Sequence, residues 1–238
     1  MEKPVNGAYG KNKHQQGLEE ILSKSSRLMA EVGFHGTTMR ELSRVTSRSL
    51  SGLYHYFGSK EDLLYLINFH GFTTLNEAWK RMSELLGGPR ERLYGFIYLH
   101  THYYVANIDE MRVMNWGTQE LEYERAMTIR KLKDHYTAVA RDIVAAVNEE
   151  ATGEALDSRR LARQTFLLFG MMNWIFGWYS ARAHGAVEDL VRDIYGTFLH
   201  GITGAVATDD MTAIETRVRD AFAQSGTNSM WETLNQAG

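Results

Sequence analysis

The sequence contains no cysteine and only two prolines in 238 residues, and each shortage excludes a class of structure. Without cysteine the chain has no disulfides, thiolate metal sites, cysteine nucleophile or thiol redox sensor. Because the prolines are confined to Pro4 and Pro89, long unbroken helices are possible almost everywhere. The most apolar stretch, Phe166–Tyr179, has 14 residues and includes Asn173, whereas a membrane span needs about 20 apolar residues. Since residues 1–16 lack an apolar signal segment, we expect a cytoplasmic protein without a membrane partner.

Signatures of catalysis and metal binding are also missing. The nine histidines include no pair in an H-E-x-x-H arrangement, and His100 and His102 point to different faces of a helix. No G-x-S-x-G, phosphate-binding loop or dinucleotide fingerprint occurs. We therefore expect no catalytic residues, no metal and no cofactor, and an all-α enzyme is the less favoured alternative.

Apolar residues recur at spacings of three and four through most of the chain, and no segment alternates with a period of two. The pattern predicts an all-α fold. The predicted helices cover 17–33, 38–45, 50–57, 60–86, 90–107, 110–119, 122–150, 158–183, 187–206 and 210–223.

Local signals predict several helix ends. Thr38 followed by Glu41 forms a capping box, and Ser59 followed by Asp62 starts the long helix at Lys60. Gly33 is placed to end the first helix. The Gly87–Pro89 run is the strongest break in the chain.

The charge divides unevenly along the chain. Residues 1–60 contain nine Lys and Arg and five Asp and Glu, and the remainder contains 17 and 24. A basic N-terminal part on an acidic larger part is typical of a DNA-reading head on a separate body. The predicted organisation is a flexible basic arm (1–16), a head (17–64), a body (65–206) and a C-terminal helix and tail (207–238).

Within the head, two short helices joined by a tight turn and preceded by a third are the parts of a helix-turn-helix. The second short helix carries polar groups for phosphates and base edges. We expect Leu50, Leu53 and Phe57 to hold it against the core.

The residues Thr37–Leu42 and Leu53–Leu64 resemble the N-terminal signature of TetR-family transcriptional repressors, which reads T-T-x-R-E-I-A and then L-Y-x-Y-F-x-S-K-E-x-L. The chain departs from that pattern at the inter-helix turn, where Ser47 replaces the usual glycine and Arg48 replaces an apolar residue.

This resemblance implies a homodimeric, ligand-responsive repressor that binds a palindromic double-stranded DNA operator and is not an enzyme. Carried over by position, Thr38, Tyr54 and Lys60 would contact phosphates, while Ser49, Ser51 and His55 would face bases or phosphates. Arg48 lies at the edge of the recognition helix, where DNA contact and plain surface exposure are equally open. The implied DNA-binding residues are Thr38, Arg48, Ser49, Ser51, Tyr54, His55 and Lys60.

The body is rich in aromatic and methionine side chains, which are usually plain core but would also line a pocket for an apolar effector. Gly170–Tyr179 resembles the G-M-x-N-W-x-x-x-W-Y pattern of a TetR subgroup associated with acyl-CoA or other CoA thioesters. An unrelated hydrophobic compound, as in drug-efflux regulators, is the alternative effector. The candidate ligand-binding residues are Tyr103, Trp116, Arg125, Phe166, Phe169, Met172, Asn173, Trp174 and Trp178.

The helix predicted at 187–206 combines small residues with an apolar stripe. Small residues allow two helices to pack closely, so we expect this helix and its predecessor to form a four-helix dimer interface. The candidate interface residues are Ile194, Phe198, Gly201, Ile202 and Ala205.

Overall fold

The computed structural model describes residues 13–115 and 118–203, with side chains described for 17–115 and 118–201. The chain divides into two compact units, Met1–Leu199 and His200–Gly238. Within the described residues all regular structure is helical, which confirms the all-α prediction. The arm residues 1–12, the helix predicted at 210–223 and the tail 207–238 lie outside the described part. No described helix is long and apolar enough to cross a membrane.

Ten α-helices follow one another along the described chain. They are α1 (Lys13–Gly36), α2 (Met39–Thr46), α3 (Leu50–Tyr54), α4 (Lys60–Ser83), α5 (Pro89–Ala106), α6 (Ile108–Asn115), α7 (Tyr123–Thr152), α8 (Ser158–Asn173), α9 (Ala181–His184) and α10 (Val187–Thr203), with a 3-10 turn at Trp174–Gly177 after α8.

The single helix predicted at 158–183 is wrong, because α8 ends at Asn173 and the chain tightens into the 3-10 turn. Met172, Ile175 and Tyr179 keep a helix-like spacing and are all buried, but they lie in three successive parts of the chain: the end of α8, the 3-10 turn and the segment after it. The Tyr179 hydroxyl donates to the Gly185 carbonyl at 3.0 Å, which closes the segment. An apolar pattern at three- and four-residue spacing therefore did not distinguish a helix from a 3-10 turn here.

The head is built around side chains from α1 to α4. Ile21, Met29, Leu42, Leu53 and Leu63 expose none of their surface. Phe57 is also buried, but Leu50 is 38% exposed, so the prediction that Leu50 faces the core is wrong. The recognition helix is thus held mainly by Leu53, with Phe57 following just after its end.

The predicted capping signals are confirmed. The Glu41 backbone N–H donates to the Thr38 hydroxyl at 3.3 Å, and the Thr38 N–H donates to the Glu41 carboxylate at 3.1 Å. The Asp62 N–H donates to the Ser59 hydroxyl at 3.1 Å at the start of α4. Each cap satisfies backbone donors that have no partner inside the helix.

The turn between α2 and α3 depends on Ser47, whose φ of 56° and ψ of 36° lie in the left-handed region. Glycine adopts this conformation without a Cβ penalty, which explains why the family prefers glycine here. The turn is closed by a reciprocal pair of bonds: the Arg48 N–H donates to the Ser43 carbonyl at 3.1 Å, and the Ser43 hydroxyl donates to the Arg48 carbonyl at 2.6 Å.

The body is organised around α4, which packs against α5, α6 and α7. A second group of packed helices consists of α5, α7 and α8. The head joins this body through α1, which packs against α6 as well as α2, and through α4, which begins in the head and continues into the body. Any ligand site bordered by α1, α4 or α6 therefore lies beside elements that position the recognition helix.

Candidate functional site

The exposed face of α3 is the first part of the candidate site. Ser51, Tyr54 and His55 are all exposed, and Tyr54 keeps 55% of its surface accessible. Because Leu53 faces the core, these three side chains point outward and can approach a DNA groove. The structure therefore places them where the resemblance expects DNA-contacting residues, although their contact with DNA stays a prediction.

Two of the candidate DNA-binding hydroxyls already have structural partners. The Ser49 hydroxyl accepts the Gly52 backbone N–H at 3.0 Å and caps α3. The Thr38 hydroxyl is exposed, accepts from the Glu41 N–H and donates to the Glu41 carboxylate at 2.8 Å. Both residues fix the ends of the two short helices, which is a role independent of any DNA contact.

The two candidate cations of the head are held within the chain. The Arg48 guanidinium lies 3.6 Å from the Glu20 carboxylate and 5.4 Å from the centre of the Tyr56 ring. The Lys60 ammonium donates to the Phe34 carbonyl at 3.2 Å and lies over the Phe34 ring at 4.4 Å. In this arrangement Lys60 ties α4 to the end of α1 rather than reaching outward.

The candidate ligand residues do not form one pocket. Phe166 and Trp174 are 65% exposed and Trp178 is 45% exposed, so they lie on the surface of this chain and not in its interior. α8 turns its Leu168 and Met172 side inward instead, and a ligand contact of the three exposed residues stays a prediction. Trp116 lies outside the described residues.

Phe169 and Asn173 instead belong to a group that we call the His100 cluster, defined by Phe96, His100, Tyr136, Phe169 and Asn173. Met172 is buried on the same helix. The His100 Nδ1 atom lies 3.3 Å from the Tyr136 hydroxyl, and its Nε2 atom lies 3.0 Å from Asn173 Oδ1. An amide oxygen only accepts, so Nε2 carries the proton and Nδ1 accepts from the tyrosine. Burial lowers the pKa of His100 to about 4, and the imidazole is neutral at physiological pH.

Tyr103 belongs to a different place, a cavity of about 730 Å³ that we call the junction cavity. It lies between α1 of the head and α4, α5 and α6 of the body. Its polar lining consists of Glu19, Ser23, His70, Thr74, Tyr103, Asn107 and Glu110. Its apolar lining consists of Leu18, Leu22, Ile67, Gly71 and Ala106.

The electrostatics of the junction cavity centre on Glu110. Burial raises the pKa of the Glu110 carboxyl, and hydrogen bonds from its own backbone and from Ser23 offset this only in part. Burial, together with the Glu110 charge, raises the pKa of Tyr103 to about 12, so its hydroxyl keeps its proton. Sequence reasoning missed Glu110, since a lone glutamate in a helical pattern is normally a solvated surface residue.

Arg125 is not a free cation for a ligand, because its guanidinium binds the Asp62 carboxylate and lies 5.3 Å from the centre of the Tyr65 ring. The same carboxylate accepts the Gly58 backbone N–H at 2.8 Å, just after the recognition helix. Arg125 therefore connects α7 of the body to the point where the head passes into α4. Its candidate role in ligand binding has no support from this arrangement.

The described candidate dimer residues on α10 differ in exposure, and their place at an interface stays a prediction. Ile194 and Phe198 are each only 5% exposed in this chain. Gly201 is exposed. The side chain of Ile202 and the whole of Ala205 lie outside the described part.

Comparisons with known proteins place this chain in a family. The family model described as bacterial regulatory proteins, tetR family, matches residues 21–65, and the one described as tetracyclin repressor-like, C-terminal domain, matches residues 86–202. Among curated proteins, the HTH-type transcriptional regulator HbdR of Aromatoleum sp. (strain CIB) is 26% identical over 74% of this chain and 73% of its own length.

Solved structures share the fold. A TetR-family transcriptional regulator from Bordetella parapertussis 12822 has a TM-score of 0.72 at 22% identity, over 80% of this chain and 98% of its own. AibR, solved in complex with isovaleryl coenzyme A and operator DNA, has a TM-score of 0.66 at 21% identity, over 76% of this chain and 97% of its own. Together with the helix-turn-helix and its capped, left-handed turn, these matches identify the chain as a member of the TetR family of transcriptional regulators.

Proposed function

We propose that this protein is a dimeric repressor that binds a palindromic DNA operator and releases it when a small apolar effector binds. The observation that carries the proposal is the outward face of α3, where Ser51, Tyr54 and His55 stand exposed on a helix fixed by two capped neighbours. The proposal also places the protein in the bacterial cytoplasm with its DNA, and assigns it no catalytic role.

A dimer would place two α3 helices on successive turns of one DNA face, as a palindrome requires. The supporting surface is on α8, where Phe166 and Leu167 are 65% and 60% exposed and Trp174 follows on the adjoining turn. Soluble monomers rarely expose such a group of large apolar side chains. We therefore propose that the interface centres on this face of α8.

For the effector, we propose a CoA thioester with its acyl part near the His100 cluster. Two observations support it: the resemblance of Gly170–Tyr179 to the thioester-responsive subgroup, and the fold shared with AibR, a protein solved with isovaleryl coenzyme A. Asn173 of α8 and Tyr136 of α7 both contact His100, so an effector that displaces α8 there would also press on α7.

The effect of the bound effector would then reach the head through Asp62. Its carboxylate binds Arg125 of α7 and also the Gly58 N–H at the end of the recognition segment. A shift of α7 that carries Arg125 with it would change the angle at which α4 holds α3. Effector and operator would then favour different conformations, which is sufficient for release.

Operator binding is tested by selecting DNA from a random pool and measuring affinity by fluorescence anisotropy. Tyr54→Ala should lower affinity about tenfold or more through loss of a phosphate or base contact. Tyr123→Ala is the matched control, since Tyr123 is 78% exposed on the body. Equal affinity of the two variants, both folded, would contradict the assignment of α3 to the DNA interface.

The effector is tested on the same complex. Addition of isovaleryl-CoA and longer acyl-CoAs should release the operator, whereas free CoA at the same concentration should not. Release by none of the thioesters would remove the CoA assignment while leaving the DNA-binding proposal intact.

A further inference from the structure

The junction cavity carries a charge pattern that does not suit an anionic ligand. Its described lining contains the carboxylates of Glu19 and Glu110 but neither lysine nor arginine. A phosphate or carboxylate placed here would meet like charge at short range in a partly dehydrated space, which is unfavourable. The CoA phosphates proposed for the other region are therefore poor occupants of this cavity.

The same lining suits a cation. Glu110 is a half-buried carboxylate whose stabilising contacts come from its own backbone and from the Ser23 hydroxyl rather than from a basic side chain. The Tyr103 hydroxyl and the Asn107 amide line the cavity beside it and add hydrogen-bonding groups. A buried carboxylate gains most from a ligand that supplies a positive charge and an N–H donor.

The apolar lining of the junction cavity restricts the class of ligand further. Leu22 of α1 and Ile67 of α4 line the space together with Gly71, which adds no side-chain volume. At about 730 Å³ the cavity is large enough for a ligand that combines a charged group with an apolar body. A bare metal ion would leave these walls without contact.

We propose that the junction cavity is a binding site for a small organic amine, whose ammonium group binds Glu110 and whose apolar part packs against Leu22 and Ile67. This site is separate from the His100 cluster, because the cluster lies where α5 meets α7 and α8, whereas the cavity is bordered by α1, α4, α5 and α6.

An amine bound there would contact the head directly. α1 supplies one wall of the cavity and also packs against α2, so an occupant joins Glu110 of α6 to the helix that supports the helix-turn-helix. By linkage, a ligand raises operator affinity if it favours the position of α1 that fits the operator, and lowers the affinity if it favours another position. This regulatory consequence rests on the proposed function, whereas the binding itself does not.

The binding test uses isothermal titration of the full-length protein with 4-phenylbutylamine and tryptamine. Their matched acids, 5-phenylpentanoate and indole-3-propionate, and the neutral 4-phenylbutanol serve as ligand controls. We expect the amines to bind and the acids and the alcohol to bind at least about tenfold more weakly. Acids that bind as tightly as the amines, or the absence of binding by both amines, would overturn the proposal.

The residue test compares Glu110→Gln with Glu77→Gln, a control on the exposed side of α4. Glu110→Gln keeps the shape of the side chain and should weaken amine binding about tenfold, while Glu77→Gln should leave it unchanged. Equal affinity in both variants would overturn the proposal. Selected operator DNA, measured without amine, provides a separate readout: its failure to bind would count against the proposed function and leave the amine site standing.

Discussion

The His100 cluster and the junction cavity contain the same kinds of side chain but differ in the space around them. Each has a histidine, a tyrosine and an asparagine, but in the cluster the His100 ring is held at both nitrogens by Tyr136 and Asn173. In the cavity, His70, Tyr103 and Asn107 line open volume beside a carboxylate. The cavity groups also have partners, since the Asn107 amide donates to the Tyr103 carbonyl at 2.8 Å and Ser23 hydrogen-bonds to Glu110. The difference is that they border open volume that a ligand can enter, whereas the His100 ring is enclosed by the core.

The strongest test of that comparison is a large truncation in the cluster. Phe96 exposes none of its surface and lies 4.9 Å from Tyr136 and 5.3 Å from Trp79, measured between ring centres. Phe96→Ala should lower the free energy of unfolding by about 3–5 kcal/mol, because it removes buried apolar contact and leaves a cavity. Urea unfolding measures this, with the exposed Tyr123→Ala as control. A loss below about 1 kcal/mol would mean that the cluster is loosely packed.

The second test is the pH dependence of stability. Burial lowers the pKa of His100 to about 4 from its ordinary 6.5. Between these values the unfolded chain binds the proton and the folded chain does not, so His100 stabilises the fold fully above pH 6.5 and progressively less as the pH falls to 4. The groups facing it are the hydroxyl of Tyr136, the amide of Asn173 and the ring of Tyr104, and none of these titrates in that range.

We expect this histidine to account for a loss of roughly 2–3 kcal/mol between pH 6.5 and pH 4. Urea unfolding of wild type and His100→Phe over this range isolates the effect, since all other groups are shared. The variant should be less stable at pH 7, because it leaves Asn173 and Tyr136 without partners, and it should show the flatter pH profile. Parallel profiles would contradict a neutral, buried His100.

The third test concerns the contact between α7 and the start of α4. Asp62→Ala should cost about 1–2 kcal/mol, since it removes the bond to the Gly58 N–H as well as the ion pair. Arg125→Ala removes only a solvent-screened ion pair and should cost less than Asp62→Ala. A double-mutant cycle should give a measurable coupling energy between the two. Strictly additive losses would show that Arg125 and Asp62 are not coupled.

The smallest change in the free energy of unfolding is expected from a substitution in the junction cavity. The pKa of Glu110 is raised in the folded state, so stability falls as the pH rises above the ordinary carboxyl pKa, and the loss is complete once the pH exceeds the raised pKa. Glu110→Gln should therefore leave the protein equally stable or slightly more stable at pH 7, by less than about 1 kcal/mol. The gain should disappear near pH 4, where the carboxyl is protonated in both states. A clear loss of stability at pH 7 would make Glu110 a structural residue of the fold.

Several parts of the head were predictable from the sequence because they depend on near neighbours. The bonds between Thr38 and Glu41 and between Ser59 and Asp62 join residues three apart, so one sequence window contains both partners. The departure at Ser47 was also visible, and the structure supplies its reason in the left-handed turn. The family assignment came from the same short, local motifs.

The body was harder to predict, because the same apolar pattern fits more than one three-dimensional arrangement of its helices. The apolar stripe of α10 was assigned to a partner chain, which stays a prediction, and the structure leaves Ile194 and Phe198 only 5% exposed within one chain. Phe166 and Trp174 were assigned to an effector pocket, and the structure leaves both 65% exposed on the surface of the chain. A sequence pattern states that a side chain is apolar and does not state which surface covers it.

By itself, the sequence determined the helices of the head, their caps and the family, since each depends on side chains within a few positions of one another. The tertiary structure alone decided which polar side chains have partners. His100 meets Asn173 across 73 positions, and the junction cavity brings Ser23 of α1 to Glu110 of α6. Only the packing of helices far apart in sequence sets those distances, and with them the difference between a buried core histidine and an open carboxylate site.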